Sequence, residues 1–247
     1  MATPAAAAET EAFEIRDEQR PLTEIPISPP NGEADEAADG LKPTEQLTVF
    51  HSADNFNVKH PLMNKWTLWF TKPPSGKGGN DWSELLKEVV TFDSVEEFWG
   101  IYNNIQKTSE LALKSDYHLF KQGVRPEWED EQNMNGGKWA YQFKDKRAVA
   151  IDDLWLHVML AAIGETLEAD DVKEVMGVVV NVRRGFFRIG VWTRTTGVKG
   201  GNKDSLKEIG KRFKEVLKLA EAEKVEFSGH TDAAQSGSTR AKPKFTV

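Results

Sequence analysis

Apolar and polar residues alternate along several short stretches of this chain, a pattern typical of β-strands with one buried face. In the stretch 64–72, the apolar side chains of Trp66, Leu68 and Phe70 are spaced two residues apart. Further strands are predicted at 88–92, 117–123, 138–144, 177–183, 186–193, 224–228 and 243–247. The chain is therefore expected to contain about eight strands.

Three other segments repeat apolar residues with the 3.6-residue period of an α-helix. The first follows Ser94, and the Ser-Val-Glu-Glu sequence that ends at Glu97 is typical of a capping box. The second spans 152–163 and stops at Gly164, and the third spans 204–219. These elements predict an α+β fold: a single curved, mainly antiparallel sheet of about eight strands, with about three helices packed on its convex face. The other, concave face is expected to stay open.

The first 45 residues differ in composition from the rest of the chain. They contain eleven Asp or Glu against three Lys or Arg, six of the eleven prolines and none of the eight tryptophans. Such a segment cannot bury enough apolar surface to offset the entropy that it loses on ordering. Residues 1–45 are therefore predicted to be a disordered acidic tail, and residues 46–247 a folded domain. The charge of that domain is nearly balanced, which disfavours a broad electrostatic binder of nucleic acid.

Cysteine is absent, which excludes disulfide bonds and thiolate metal sites and favours a reducing compartment. No apolar run approaches the roughly 18 residues that a membrane span requires. The N-terminus lacks the basic and apolar regions of a signal peptide. These features predict a soluble, intracellular protein with no membrane association. A cytoplasmic location is expected, and a nuclear one is left open.

Two of the eight tryptophans lie in polar, turn-rich stretches where a core residue is not expected. Trp82 follows a glycine-rich run, and Trp128 is followed directly by Glu129. A large aromatic side chain on a loop leaves its apolar face in water unless it binds something. Two such faces beside a carboxylate favour a slot that stacks a flat, electron-poor ring and reads its edge. A modified nucleobase is the ligand that such a slot would fit.

The remaining tryptophans differ in their surroundings. Trp192 ends an apolar strand and fits either the core or the wall of a pocket. Trp99 fits the apolar side of its helix, and it also fits an exposed anchor for a partner helix. Four others lie in apolar, periodic segments and are predicted to be core residues: Trp66, Trp69, Trp139 and Trp155.

Arginines bracket one predicted turn. The strands 177–183 and 186–193 are expected to form a hairpin, which places Arg183 and Arg188 on either side of its turn. Together with Lys138, which follows a Gly-Gly pair, they could bind an anionic chain such as a di- or triphosphate. The alternative is that they are ordinary surface cations at the end of a hairpin.

No catalytic or metal-binding motif is recognisable. The glycine-rich stretches lack the spacing of a P-loop, no nucleophile-elbow sequence occurs, and the five histidines include no close pair suited to zinc. Neither a metal nor a cofactor is therefore expected, and the protein is predicted not to be an enzyme. The alternative of a nucleotide hydrolase would need a metal-binding carboxylate cluster, and the run 129–131 is too short to indicate one.

Several motifs occur in an order and spacing typical of one family: His60-Pro-Leu62, Trp66-Thr-Leu-Trp-Phe70, Phe92-Asp-Ser-Val-Glu-Glu-Phe-Trp99, Trp128-Glu-Asp-Glu131, Gly136-Gly-Lys-Trp139, Trp155-Leu156 with Ile163-Gly-Glu165, Val180-Asn-Val-Arg183 and Ser236-Gly-Ser-Thr239. Together they resemble translation initiation factor 4E, the family that binds the cap of messenger RNA. The resemblance covers about residues 55–247, and the folded region 46–247 is accordingly interpreted as a cap-binding domain.

The resemblance implies a base site built on the two loop tryptophans. In the family, 7-methylguanine is sandwiched between two tryptophans, which correspond to Trp82 and Trp128, and the positive charge of the methylated base adds a cation–π attraction. Glu129 would accept hydrogen bonds from guanine N1–H and N2–H₂. Trp192 would contact the N7 methyl group. The triphosphate would be bound by the cationic side chains of Lys138, Arg183 and Arg188.

The resemblance also implies a second binding surface, on the helical side of the sheet. There the family docks a short helix of the scaffold factor 4G or of the 4E-binding repressors. The corresponding positions are His60, Pro61, Val95, Trp99, Leu156 and Leu160. The sequence thus predicts a monomeric, non-enzymatic initiation factor that binds the 5′ cap of messenger RNA and recruits 4G. The alternative within the family is a cap-binding translational repressor, which differs in its partner.

Overall fold

In the computed structural model, residues 47–48, 51, 57–74, 82–197, 201–235 and 243–247 are described, with the backbone alone at 82–83 and 233–235. The predicted acidic tail at 1–45 lies outside these residues and stays a prediction, as does the start of the folded domain at residue 46. The motif Ser236-Gly-Ser-Thr239 also lies outside the described residues.

The described part of the chain contains eight strands and five α-helices. The strands are β1 (Pro61–Thr71), β2 (Leu86–Ser94), β3 (Asp116–Lys121), β4 (Gly137–Phe143), β5 (Val175–Val182), β6 (Phe187–Thr193), β7 (Glu226–Gly229) and β8 (Phe245–Thr246). The helices are α1 (Trp82–Leu85), α2 (Val95–Asn104), α3 (Ile151–Ile163), α4 (Lys203–Val216) and α5 (His230–Gln235), and a 3-10 turn spans Thr108–Glu110. Every predicted strand is present, and the three long helices α2, α3 and α4 occupy the three segments with helical periodicity.

All eight strands form one sheet in the order β2–β1–β3–β5–β6–β4–β7–β8, with antiparallel neighbours throughout. β5 and β6 pair as the predicted hairpin. Its turn is closed by a hydrogen bond from the Arg183 N–H to the Phe186 carbonyl oxygen, 3.1 Å away. The sheet is open and curved, and the predicted α+β architecture is confirmed.

The main core lies between the sheet and the three long helices. Alternate residues of each strand point into it, as the two-residue period of a strand requires, and β1 contributes Trp66 and Leu68. α4 lies directly against β4: the indole N–H of Trp139 donates to the Leu206 carbonyl oxygen over 2.9 Å, and Gly210 faces the same ring. The helices therefore share one face of the sheet because the apolar phase of the strands selects that face.

Replacement of Gly210 by alanine is expected to destabilise the fold, although alanine favours a helix. A Cβ at this position would lie 2.5 Å from a ring carbon of Trp139, so α4 would have to move away from the sheet. We expect the free energy of unfolding, measured by urea denaturation, to fall by about 1–3 kcal/mol. The matched control is Gly100→Ala in α2, where nothing lies within 4 Å of the new methyl group. That change should be neutral or stabilise by about 0.5–1 kcal/mol, and equal effects at the two positions would contradict the close approach of α4.

α2 begins at the predicted cap, with one difference in detail. The Ser94 hydroxyl accepts a hydrogen bond from the Glu97 N–H, 3.3 Å away. In a capping box the Glu97 carboxylate would in turn accept from the Ser94 N–H. Here it accepts from the Asp93 N–H at 3.0 Å, one residue earlier.

Two short helices and one helix end differ from the sequence pattern. α1 and α5 have four and six residues, which is too short for a helical period to show. α5 lies between the predicted strands 224–228 and 243–247, where the sequence pattern predicts no helix. α4 ends at Val216 and not at residue 219, because Lys218 has a positive φ of 53° that cannot continue a helix.

A second, smaller apolar cluster lies on the concave face. It consists of Trp69, Leu86, Phe120, Val124, Met176 and Val179, with Trp192 packed against it. The four tryptophans predicted to be core residues are all buried, and three of them belong to the main core. Trp69 points the opposite way from Trp66 and belongs to the second cluster. The concave face is therefore open but has an apolar floor.

Candidate functional site

Trp128 lies on the loop between β3 and β4, with 41% of its surface exposed. The carboxylate of Glu129, which is also exposed, accepts a hydrogen bond from the indole N–H of Trp128. This bond holds the carboxylate beside the rim of the ring. An exposed aromatic face with a carboxylate at its edge can stack a flat ring and accept hydrogen bonds from that ring's N–H groups.

Two polar residues hold this loop in shape: Asn133, which no motif marks, and Asp130, which belongs to the motif at 128–131. Asn133 is fully buried, and its amide donates to the carbonyl oxygens of Arg125 (2.7 Å) and Glu127 (2.9 Å). The Asp130 carboxylate accepts from the N–H groups of Arg125 and Gln132, both at 2.9 Å. Asp and Asn often bond to nearby backbone in turns, which is the only sequence signal for these roles. The loop is thus preorganised, so a ligand does not have to order it first.

Arginine side chains connect the loop to the concave face. The guanidinium of Arg125 lies over the Trp69 ring, 5.4 Å from its centroid. Arg194 donates to the side-chain oxygen of Gln132 in the loop over 2.9 Å. Since Arg194 follows Trp192 by two residues, this bond fixes the loop relative to the end of β6.

Trp192 is a half-buried wall of the concave face. Its ring packs edge-on against Phe120, with centroids 5.4 Å apart, and lies 4.1 Å from the His230 ring at a tilt of 41°. His230 is buried, and this burial, together with the charge of Lys138, lowers the pKa of His230 to about 3. The imidazole is therefore neutral at physiological pH and gives Trp192 an uncharged support. No sequence motif marks His230 for this position.

Two cations lie on the neighbouring strands β4 and β6 of the concave face. Lys138 is the cross-strand partner of Trp192, and Arg188 donates to the side-chain oxygen of Gln142 over 3.0 Å. Burial, followed by repulsion from Arg188, lowers the pKa of Lys138 to about 8. Both cations line a cleft of about 440 Å³ between β4, β6 and β7. Two cations that repel each other beside a cleft form a site for an anion, because an anion relieves the repulsion.

Arg183 has a different partner from Arg188. Its guanidinium makes two hydrogen bonds with the Asp116 carboxylate, at 2.6 and 3.0 Å, and a third with the Val182 carbonyl oxygen at 3.0 Å. Asp116 is only 4% exposed, so this ion pair is largely shielded from water. The residues that line the cleft include Arg188 but not Arg183. An anion that reached both arginines would have to share Arg183 with Asp116.

Trp82 begins α1, directly before β2, and its side chain lies outside the described part of the chain. The Leu85 carbonyl oxygen at the end of α1 accepts from the Lys72 N–H over 3.0 Å, which joins this helix to the segment after β1. The stacking role of Trp82 therefore stays a prediction.

The positions predicted for the second surface belong to, or flank, the helices of the convex side. The His60 carbonyl oxygen accepts from the Val95 N–H over 3.0 Å, and Pro61 begins β1, so this segment adjoins the start of α2. Leu156 and Leu160 lie one turn apart on α3 and are half-buried. Apolar side chains that are only partly covered leave area for a partner to bury.

Trp99 on α2 is 37% exposed. Its ring is held edge-on by Phe98 and Tyr102, with centroids 5.3 and 5.9 Å away. Of the two interpretations of this residue, a wholly buried core position is excluded by the exposure. The geometry is that of a fixed aromatic side chain with one face free for contact.

Among the described residues, no group of three His, Asp or Glu is arranged to hold a metal ion. Within the same parts of the chain, no helix is long and apolar enough to cross a lipid bilayer.

Comparison with known proteins relates this geometry to one family. The sequence profile of the eukaryotic initiation factor 4E family matches residues 61–245. This chain belongs to that family. Initiation factor 4E-1 of Schizosaccharomyces pombe is 54% identical over 200 residues, which cover 81% of this chain and 88% of that protein. Initiation factor 4E of Saccharomyces cerevisiae is 49% identical over 186 residues, which cover 75% of this chain and 84% of that protein.

Solved structures of family members share the fold. Initiation factor 4E-3 of Ascaris suum, solved with the m7G cap, has a TM-score of 0.67 and 40% identity, covering 77% of this chain and 98% of that one. Initiation factor 4E-3 of C. elegans has a TM-score of 0.67 and 34% identity, covering 77% of this chain and 100% of that one. The latter was solved with both a cap analog and the 4E-binding protein Mextli, so that family member holds both at once.

Proposed function

We propose that this chain binds the 7-methylguanosine cap at the 5′ end of messenger RNA and recruits initiation factor 4G to it. The main support is the loop between β3 and β4, which is braced by Asn133 and presents an exposed Trp128 with Glu129 at its edge. The half-buried Trp192 and its partner Lys138 lie on the same concave face. The m7G cap bound to the Ascaris suum relative adds to this support.

The methylated base is bound by stacking between Trp82 and Trp128. Base–aromatic stacking contributes about 1–3 kcal/mol per base, and methylation at N7 adds a cation–π attraction that plain guanine lacks. Glu129 exchanges its bond from the Trp128 indole for bonds from guanine N1–H and N2–H₂. Each of these charge-assisted bonds contributes roughly 1.5–3 kcal/mol. Trp192, supported by the neutral His230, contacts the methyl group.

The triphosphate is bound by Lys138 and Arg188 at the cleft. The negative charge of the triphosphate offsets the repulsion between Lys138 and Arg188, and this is the electrostatic contribution to binding. Arg183 is a further phosphate ligand in this proposal. A guanidinium has five N–H donors, so Arg183 can keep its bonds to Asp116 and still donate to a phosphate oxygen. Asp116 then serves to orient it.

The affinity for 7-methyl-GTP is expected to fall above about pH 8 because of Lys138. In the free protein the pKa of Lys138 is lowered to about 8, and a bound phosphate raises it by favouring the charged form. At about pH 9 only about a tenth of the free protein carries the charge, so loss of this charge should lower the affinity about tenfold relative to about pH 7. The methylated base also loses its N1 proton over this range and weakens binding to both proteins, but the Lys138→Arg variant stays charged and should lack the additional tenfold decline. Calorimetric titrations of both proteins at each pH test this, and the same decline in both would contradict Lys138 as a phosphate ligand.

Recruitment of 4G uses the convex side of the sheet. A short amphipathic helix of the partner would lie in the groove between the segment before β1 and the helices α2 and α3. The residues proposed to contact it are His60, Pro61, Val95, Trp99, Leu156 and Leu160. In the same proposal the protein acts as a monomer in the cytoplasm, with a nuclear fraction left open, and leaves the cap chemically unchanged.

A fluorescence titration tests the cap site. 7-Methyl-GTP should quench the tryptophan fluorescence, and unmethylated GTP should bind more weakly by about tenfold or more, because it lacks the charged ring. Equal and weak responses to the two nucleotides would contradict cap recognition. Capped dinucleotide incubated with the protein should be recovered intact, and its cleavage would favour the hydrolase alternative.

Partner binding separates an initiation factor from a repressor. A peptide with the 4E-binding helix of 4G should bind the cap-loaded protein, as measured by fluorescence anisotropy of the labelled peptide. Retained cap binding without 4G binding would favour the cap-binding repressor.

A further inference from the structure

The cleft extends beyond the two cations assigned to the triphosphate. β7 pairs with the first four residues of β4, from Gly137 to Ala140. β4 continues to Phe143 while paired with β6 on its other side. The cleft of about 440 Å³ therefore lies where β7 departs from β4, and it is lined by side chains from both strands.

Two lysines line the far part of this cleft. Lys144 follows β4 and Lys224 precedes β7, and both are exposed. Lys138 and Gln142 stand at even positions of β4, so they share the concave side, and Lys144 lies in the bend after the strand and lines the same cleft. With a rise of about 3.4 Å per residue, the strand extends about 17 Å from Lys138 to its end at Phe143, next to Lys144. The cations therefore extend along the cleft and do not surround a single point.

The lining of the cleft suits a polyanion that is not read by sequence. It carries four cationic side chains and two carboxylates. One of these carboxylates, Glu223, is engaged by the Tyr141 hydroxyl, which donates to it over 2.7 Å. The neutral lining residues Gln142 and Ser228 offer hydrogen bonds that phosphate oxygens and ribose hydroxyls can use. A single strand bound in this way gains affinity from counterion release, whatever its bases.

We infer that the far part of the cleft, at Lys144 and Lys224, binds the phosphates of the first nucleotides that follow the cap in messenger RNA. The inference rests on the proposed cap binding, since the triphosphate at Lys138 and Arg188 directs the attached RNA into this cleft. The two outer lysines then add affinity for a capped RNA that 7-methyl-GTP alone does not gain.

The test compares 7-methyl-GTP with a capped pentaribonucleotide on the full chain, by calorimetry at low and moderate salt. The variant is Lys144→Gln combined with Lys224→Gln. The control is Lys207→Gln combined with Lys211→Gln, a half-buried and an exposed lysine on α4 that pair with carboxylates of the same helix. Loss of two phosphate contacts should lower the affinity for the capped RNA by about five- to tenfold at low salt. It should leave the affinity for 7-methyl-GTP within about twofold.

The salt dependence gives a second readout. For a single strand, each phosphate contact contributes about 0.7 to the slope of log affinity against log salt concentration. The variant lacks two such contacts, so its affinity for the capped RNA should depend less steeply on salt. Between about 50 and about 200 mM salt, the wild type should therefore lose about sevenfold more affinity for the capped RNA than the variant does. The control variant should behave as the wild type.

Three outcomes are decisive. Equal binding of the capped RNA by wild type and variant overturns the inference. So does a parallel loss for both ligands, because it would assign the two lysines to the triphosphate. Failure of the wild type to bind 7-methyl-GTP would contradict the cap-binding proposal itself. The titration of the wild type with 7-methyl-GTP therefore tests that proposal separately from the variants.

Discussion

Replacing Trp128 by alanine is expected to lower the affinity for 7-methyl-GTP by about 10- to 100-fold with little change in stability. Loss of one stacking face costs about 1–3 kcal/mol. Glu129 also loses the indole N–H that holds its carboxylate in place. Stability should change little because the ring is 41% exposed, and the loop is braced by Asn133 and Asp130 and not by the ring.

Calorimetry is the suitable measurement for this variant, because the substitution removes part of the fluorescence signal. Trp128→Phe retains a stacking face and should recover most of the affinity. Trp99→Ala is the matched control, since it removes a tryptophan of similar exposure (37%) from the opposite side of the sheet. An unchanged affinity in Trp128→Ala would contradict the proposed base site.

The alternation of apolar residues predicted the first strand, and the reason is visible in β1. Trp66 and Leu68 share one face, and burial of that face beneath the helices fixes the phase of the strand. Trp69 shows where this inference stops. It lies on the other face, and only the neighbouring strands, through residues such as Phe120, show that this face has an apolar cluster of its own.

The candidate site was predictable where a residue conflicts with its surroundings. Trp128 stands out because an exposed tryptophan in a polar loop is costly without a ligand. Other residues that support the site carry no such signal, because their partners are distant in sequence. Asp116 and Arg183 are 67 positions apart, and His230 meets Trp192 only once α5 has folded against the sheet. These roles require the fold to be known first.

The same alternation places two functions on one strand. Along β4, Lys138 faces the cleft, whereas its neighbour Trp139 is buried beneath α4. Cap and partner would then be bound on opposite sides of one sheet, without shared side chains. We therefore expect substitutions on either side to act on one ligand only.

The Trp99→Ala variant tests that expectation from the convex side. Its affinity for a peptide with the 4E-binding helix of 4G should fall by about 30-fold or more, as is typical of an aromatic residue at the centre of an interface. The ring is held by Phe98 and Tyr102 in a fixed orientation, so little side-chain entropy is lost when a partner helix covers it. Fluorescence anisotropy of the labelled peptide measures the change.

Leu113→Ala is the control for this surface, because Leu113 is 50% exposed and lies outside the proposed groove. It should leave peptide binding unchanged, and Trp99→Ala should retain the wild-type affinity for 7-methyl-GTP. Unimpaired peptide binding by Trp99→Ala would contradict the proposed groove. Impaired binding of both ligands by the same variant would instead show that the two sides of the sheet are coupled. The main core lies between the cap site and the partner groove, so an effect of Trp99→Ala on cap binding would require the sheet to shift. Such a shift should also lower the free energy of unfolding of the variant.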